Sequence, residues 1–169
     1  MNQKQYQTEN PEETKLLAEQ LARNFKGGEV LLLIGELGAG KTTFVQGLGT
    51  ALKVRGVVKS PSYTLVNEHK ANTKEIKKLV HIDAYRLEEG SASELGLDAE
   101  SGEDKVLAIE WPQNLKFDLP GCEVTYEIRI DHVENETRKI TIKSDQRFDI
   151  EHPFGPPSEH PYRFKKTGE

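Results

Sequence analysis

Gly35-Glu36-Leu37-Gly38-Ala39-Gly40-Lys41-Thr42 is the stretch on which the fold turns. It matches the pattern G-x-x-x-x-G-K-[ST] at every position. Glycines let a backbone curl so that successive N–H groups point inward, and a helix starting near Gly40 adds about half a positive charge at its N-terminus. Lys41 supplies a full charge for the β- and γ-phosphates of a nucleotide, and the Thr42 hydroxyl is suited to ligate Mg²⁺. Glu36, Leu37, Gly38, Ala39, Gly40, Lys41 and Thr42 are therefore candidate nucleotide-binding residues. Spacing alone also suits an ordinary glycine-rich turn, so the flanks decide. Residues 29–34 before it are apolar after the first, as in a strand buried on both faces of a parallel sheet. After it, Phe44, Val45, Leu48, Ala51 and Leu52 recur at helical spacing. Strand, glycine loop and helix in that order are the context a phosphate loop requires.

The remaining pattern extends this nucleus. Asn10 is placed to cap a helix that begins at Pro11, with Glu13 three residues after the cap. Leu17, Leu21 and Phe25 give that helix one apolar face, ending at Gly27-Gly28. Residues 63–69 and 76–83 read as strands joined by a lysine-rich turn, 86–96 as a short helix and loop, and 105–110 as a strand stopped by Trp111-Pro112. Alternation over 122–131 and 137–143 predicts a terminal hairpin. The expected fold is α/β: a phosphate-loop NTPase with a mostly parallel central sheet flanked by helices and a C-terminal antiparallel hairpin. One domain spans 1–150. Periodicity fails over 151–169, where Pro153, Pro156, Pro157 and Pro161 are half of the chain's eight prolines, so this segment is expected to be an extended or disordered tail.

Composition narrows the classes. The chain has 169 residues, 23 Lys and Arg against 28 Asp and Glu, and a formal net charge of −5. Leu, Ile, Val and Phe make up about a quarter of it, enough for a single core. No apolar run approaches the ~20 residues that span a bilayer, and the polar start carries no secretory pattern. The single Cys122 forms neither an internal disulfide nor a zinc cluster. A cytoplasmic location with no membrane contact is expected. The acidic balance argues against stable nucleic-acid binding by this chain alone.

A phosphate loop binds a nucleotide; hydrolysis also needs a carboxylate near Mg²⁺ and a group that positions water. Two predicted strands end in acids, Leu79-Val80-His81-Ile82-Asp83 and Val106-Leu107-Ala108-Ile109-Glu110. Ligands collect at the carboxyl ends of parallel strands, so both acids should face the crevice that holds Lys41. Thr42, Asp83 and Glu110 are the candidate metal residues, and Lys41, Asp83 and Glu110 the candidate catalytic ones. Trp111 either stacks on the base or packs; Thr64, in the segment after the nucleotide-binding helix, either meets the metal or γ-phosphate or is an ordinary strand residue. His81 is expected to be a structural hydrogen bonder, and Arg86 to form an ion pair. Lys70, Lys74, Lys77 and Lys78 suit a solvated edge ribbon or a docking patch for an acidic partner.

Taken together, these pieces resemble the bacterial TsaE (YjeE) family. The likeness rests on residues 35–44, on Ser60-Pro61-Ser62-Tyr63-Thr64-Leu65-Val66, on His81-Ile82-Asp83-Ala84-Tyr85-Arg86-Leu87, and on Ile109-Glu110-Trp111-Pro112, in that order and spacing. It implies a compact α/β, Mg²⁺-dependent ATPase supporting threonylcarbamoyl transfer to adenosine 37 of tRNA. The implied partners are TsaD and TsaB, with tRNA met only through that complex. By the same resemblance Lys41 is the phosphate clamp, and Thr42, Asp83 and Glu110 are the Mg²⁺ and hydrolysis positions. The chain departs from the family's usual pattern at 99–104 and after Arg147.

Three rival readings remain at this stage. A small-molecule kinase should carry a lid with clustered arginines, whereas Arg23, Arg55, Arg86, Arg129, Arg138, Arg147 and Arg163 are scattered. A GTPase switch should carry Asn-Lys-x-Asp, which is absent from the sequence. A scaffold would bind ATP without turnover.

Overall fold

The computed structural model describes residues 1–150 except 62, 89, 117, 120 and 121; the tail expected over 151–169 lies outside the described residues. The elements in chain order are β1 Asn2–Thr8, α1 Pro11–Ala22, β2 Val30–Ile34, α2 Lys41–Ala51, β3 Val66–Lys70, β4 Lys78–Asp83, β5 Gly90–Ser91, β6 Lys105–Glu110, β7 Leu115–Lys116, β8 Tyr126–Glu134 and β9 Thr137–Ser144. Seven strands form one sheet in the order β1-β9-β8-β2-β6-β4-β3. The central four, β8, β2, β6 and β4, run parallel. The outer pairs β3–β4, β8–β9 and β1–β9 are antiparallel, so the sheet is parallel at its centre and mixed overall.

The apolar run of β2 has the cause its composition suggested. Leu31 and Leu33 pack with Leu17, Leu21, Phe44 and Leu48 of the two helices. Val30 and Leu32 face the other way, onto Val80, Ile82, Leu107 and Ile109. A strand buried on both faces has no polar alternation to show. The two helices touch closely: a Cβ built on Gly47 of α2 would lie 2.2 Å from the Lys15 carbonyl of α1.

Several expectations need correction. Helix α1 starts as expected, with the Asn10 side chain accepting from Glu13 N at 2.9 Å. It ends at Ala22, not at Gly27-Gly28. Asn24 Nδ2 donates to the Leu21 carbonyl at 3.0 Å, satisfying a group that another helical turn would have bonded. The polar start, read without structure, is β1. Paired to β9 on one side only, it lies at the sheet edge, where solvent-facing positions carry Asn, Gln and Lys.

The helices do not flank the sheet. Among the described residues both α-helices lie on one face, and the opposite face is covered by irregular chain on either side of β6, which seats Ala84, Ala92 and Leu97 before that strand and Leu115 and Leu119 after it. Among the described residues of 86–96 there is β5, paired in parallel with β7, in place of the expected helix, and a 3-10 turn follows at Leu97–Glu100. Local polar bonds hold this course: Asp118 accepts from the Ser91 hydroxyl at 2.6 Å and from Ser93 N at 3.0 Å. No described helix is long and apolar enough to cross a membrane.

Candidate functional site

Residues 35–42 leave the end of β2 and return as the first turn of α2. Gly38 (φ 77°) and Gly40 (φ 106°) are both left-handed. A Cβ built on either meets nothing within 4 Å, so backbone conformation, and not crowding, requires glycine there. Gly40 is the N-cap of α2 and lacks a side-chain cap. The first N–H groups of that helix therefore have no intrahelical acceptor and border a cavity.

That cavity has a volume of about 500 Å³ and is lined by residues 37–43 together with Ser60, Tyr63, Asp83, Tyr85, Arg86, Glu110 and Trp111. Lys41 is only 5 % exposed. Its Nζ donates to the carbonyls of Gly35 at 2.6 Å and Glu36 at 2.9 Å, and sits 4.2 Å from the Trp111 ring centroid. Burial lowers its pKa from the ordinary ammonium value, opposed by the charges of Glu110, Asp83 and Glu36. A buried ammonium resting on neutral carbonyls and a π-face is well placed to exchange them for the charged oxygens of a polyanion.

The two acids arrive side by side because β4 and β6 are parallel neighbours in register, Asp83 opposite Glu110. Glu110, 4 % exposed, accepts on Oε1 from two donors: the Thr42 hydroxyl at 2.8 Å and His81 Nε2 at 2.7 Å. His81 is fully buried and fixes Glu110 in place, as expected of a structural hydrogen bonder. Asp83 accepts from the Ser60 hydroxyl at 3.1 Å and from Tyr85 N at 3.0 Å. Trp111 takes a left-handed conformation (φ 56°) at the end of β6. Its ring packs on Tyr85, with centroids 4.9 Å apart, as well as over Lys41.

Leu37, Gly38, Ala39, Gly40, Lys41, Thr42, Asp83, Glu110 and Trp111 thus gather at one cavity, and Glu36 joins through its carbonyl. Thr64 does not: its hydroxyl donates to Asn67 Oδ1 at 2.9 Å on the exposed surface, and from that same segment Ser60 and Tyr63 line the cavity instead. Nor does Arg86 form the expected ion pair among the described residues; its guanidinium lies 5.0 Å from the Tyr63 ring centroid at the cavity wall. The sequence reading quoted Ser60, Tyr63 and Tyr85 within the motifs of the resemblance but gave none of them a place in the site; the strand-end turn after Asp83 was the signal available for Tyr85.

A buried ammonium, a helix N-terminus, a hydroxyl and two carboxylates on neighbouring strand ends thus meet at one cavity. Comparison with known proteins agrees in family. The profile of the threonylcarbamoyl adenosine biosynthesis protein TsaE matches residues 8–140. The chain is 43% identical over 136 residues to the tRNA threonylcarbamoyladenosine biosynthesis protein TsaE of Aquifex aeolicus, covering 79% of this chain and 91% of that one. It is 38% identical over 142 residues to the protein of the same name from Bacillus subtilis, covering 84% and 86%. Its fold is similar to the crystal structure of Bacillus subtilis YdiB, with a TM-score of 0.63, 32% identity and coverage of 85% and 86%. This chain belongs to the TsaE family.

Proposed function

We propose that this protein is a Mg²⁺-dependent ATPase of the phosphate-loop class that acts in tRNA threonylcarbamoyladenosine biosynthesis, in the cytoplasm, on a complex of TsaD and TsaB. What supports the reading most is the convergence of Lys41, Thr42, Asp83 and Glu110 on one cavity at the carboxyl ends of β2, β4 and β6. The family name supplies the pathway.

The donor set fits the proposed ligand. MgATP, when bound there, would supply a reactive phosphoanhydride and a divalent charge. Lys41 gives up the carbonyls of Gly35 and Glu36 for phosphate oxygens, and the first N–H groups of α2 bind the same polyanion. Thr42 donates its proton to Glu110, which leaves its oxygen lone pairs for a metal. Asp83, steadied by Ser60 and Tyr85 N, offers the second carboxylate. Glu110, held by His81, completes the metal shell or orients the attacking water. Turnover by the chain alone is slow in this scheme, and docking on the TsaD–TsaB complex completes the site; completion by a supplied group is worth about 10³–10⁵ in rate in other phosphate-loop enzymes.

The test is ATP hydrolysis with and without TsaD, TsaB and tRNA, beside ATP titrations of two variants. Lys41→Ala is expected to abolish productive binding; Glu110→Ala should bind ATP and lose turnover. Undiminished hydrolysis in Glu110→Ala would remove that residue from the chemistry. Phosphate transferred to an added small molecule instead of water would make the protein a kinase.

A further inference from the structure

The loop at 35–42 leans on the β8–β9 hairpin at two points. A Cβ built on Gly35 would lie 2.6 Å from the Ile130 carbonyl of β8, so the loop begins in direct contact with that strand. Further along, Arg138 of β9 donates from Nε to the Ala39 carbonyl at 2.8 Å and from Nη2 to the Gly38 carbonyl at 3.4 Å. Its Nη1 donates to the carbonyls of Asn135 and Thr137, both at 3.1 Å. Among the described residues no carboxylate lies within 4 Å of this guanidinium. Its charge and its planar fork are spent on carbonyls, linking the hairpin turn to the glycine loop.

We propose that Arg138 is a positioning residue for the phosphate-binding loop. In a planar trans peptide the C=O and N–H point in opposite directions. The Ala39 carbonyl is held by a residue outside the cavity lining, so the N–H of the same peptide, that of the cavity-lining Gly40, is fixed in the opposite direction. Gly38 and Gly40 are the loop's two left-handed glycines, whose backbones have the widest choice of conformation. The Arg138 fork removes that choice before any ligand arrives, and a binding loop ordered in advance loses less freedom on binding. The claim about loop order stands on the hydrogen bonds alone; the claim about the ligand rests on the nucleotide reading above.

The experiment uses Arg138→Ala and Arg138→Lys in the full chain, with two readouts. In the nucleotide-free protein, ¹⁵N relaxation at Gly38, Ala39 and Gly40 should fall from order parameters of about 0.85 to below about 0.6 in Arg138→Ala. Unchanged values, or loosening confined to 135–137, would overturn the proposal. In titrations with MgATP the dissociation constant should rise about tenfold, the loss of one charge-assisted hydrogen-bonded contact. Arg138→Lys should recover little of it, because an ammonium lacks the fork; full recovery would mean that charge alone matters and would also overturn the proposal. Should Arg138→Ala not fold, Arg138→Lys carries both readouts, with the same directions expected. Wild-type protein that binds no MgATP would sink the nucleotide reading, and the relaxation data would still decide whether Arg138 orders the loop.

Discussion

On one face of the central strands, Leu31, Leu33, Val106 and Ala108 meet two regular helices; on the other, Val30, Leu107 and Ile109 meet a patchwork of turns, two-residue strands and a 3-10 turn. Both covers exclude water from the strands, but they do so with different means. The helical face holds its shape through close backbone contact, as at Gly47 against Lys15. Its α2 carries Lys41 and Thr42. The irregular face is held by short polar bonds such as Ser91 to Asp118, and its two halves follow the strand-end residues Asp83 and Glu110. The comparison teaches that the site joins a regular half, in which α2 carries the glycine loop into it, to a half made of turns, which supplies Tyr85, Arg86 and Trp111.

Matched substitutions put this contrast at risk. Leu48→Ala, on the helical face at 0 % exposure, should cost about 4 kcal/mol in urea unfolding, because close-packed helices cannot collapse into the cavity. Leu97→Ala, equally hidden at 2 % exposure but within the irregular cover, should cost about 2 kcal/mol, because turns can relax. Equal losses would erase the distinction. A smaller effect concerns two phenols on the helical side. Burial, reinforced by Glu29, pushes Tyr126 up to about 12, and burial with Asp149 does the same for Tyr6. Both are neutral well below pH 10 in folded and unfolded chains alike. Above it the unfolded chain ionises first, so stability should fall as pH rises from 10 towards 12. Phenolate absorbance tracked alongside unfolding, with Tyr6→Phe and Tyr126→Phe assigning two of the five tyrosines, checks this: Tyr6 and Tyr126 ionising near 10 while the protein is still folded would contradict it. The smallest effect lies on the irregular side. Burial raises the Cys122 thiol above its ordinary value, so alkylation at neutral pH should run slower than for free cysteine. A rate equal to free cysteine would mean that this cover opens readily.

The same contrast explains what could be read from sequence. The loop, β2, α2 and the acids that end β4 and β6 were legible, because glycine spacing, helical periodicity and apolar runs are local signals with a single physical cause each. That Asp83 and Glu110 face one crevice was expected from parallel strands; the register that sets them opposite each other was not. The irregular cover on either side of β6 was not legible, because its course depends on bonds such as Ser91 to Asp118 that have no period. Strand β1 was missed because an edge strand with one wet face carries few apolar residues. The choice left open for Thr64 needed the structure: the turn around the Pro61 carbonyl, which accepts from Thr64 N and Leu65 N, carries its hydroxyl to Asn67. Arg138 could not be found at all: it meets Ala39 across 99 positions of chain.

That long separation bears on how the molecule comes into being. A ribosome releases the glycine loop early, yet β2 gains its neighbour β8 only once residues from Tyr126 onward have emerged. Pairings between distant segments are slow to form. The nascent protein should therefore be unable to grip phosphate until the last hairpin leaves the exit tunnel, and a stop codon before Arg138 should yield a product without affinity, however complete its glycine motif. Ribosome-bound chains stalled at successive lengths and probed with labelled ATP would show binding appear in one late step; capture by chains ending near residue 115 would refute that order of assembly.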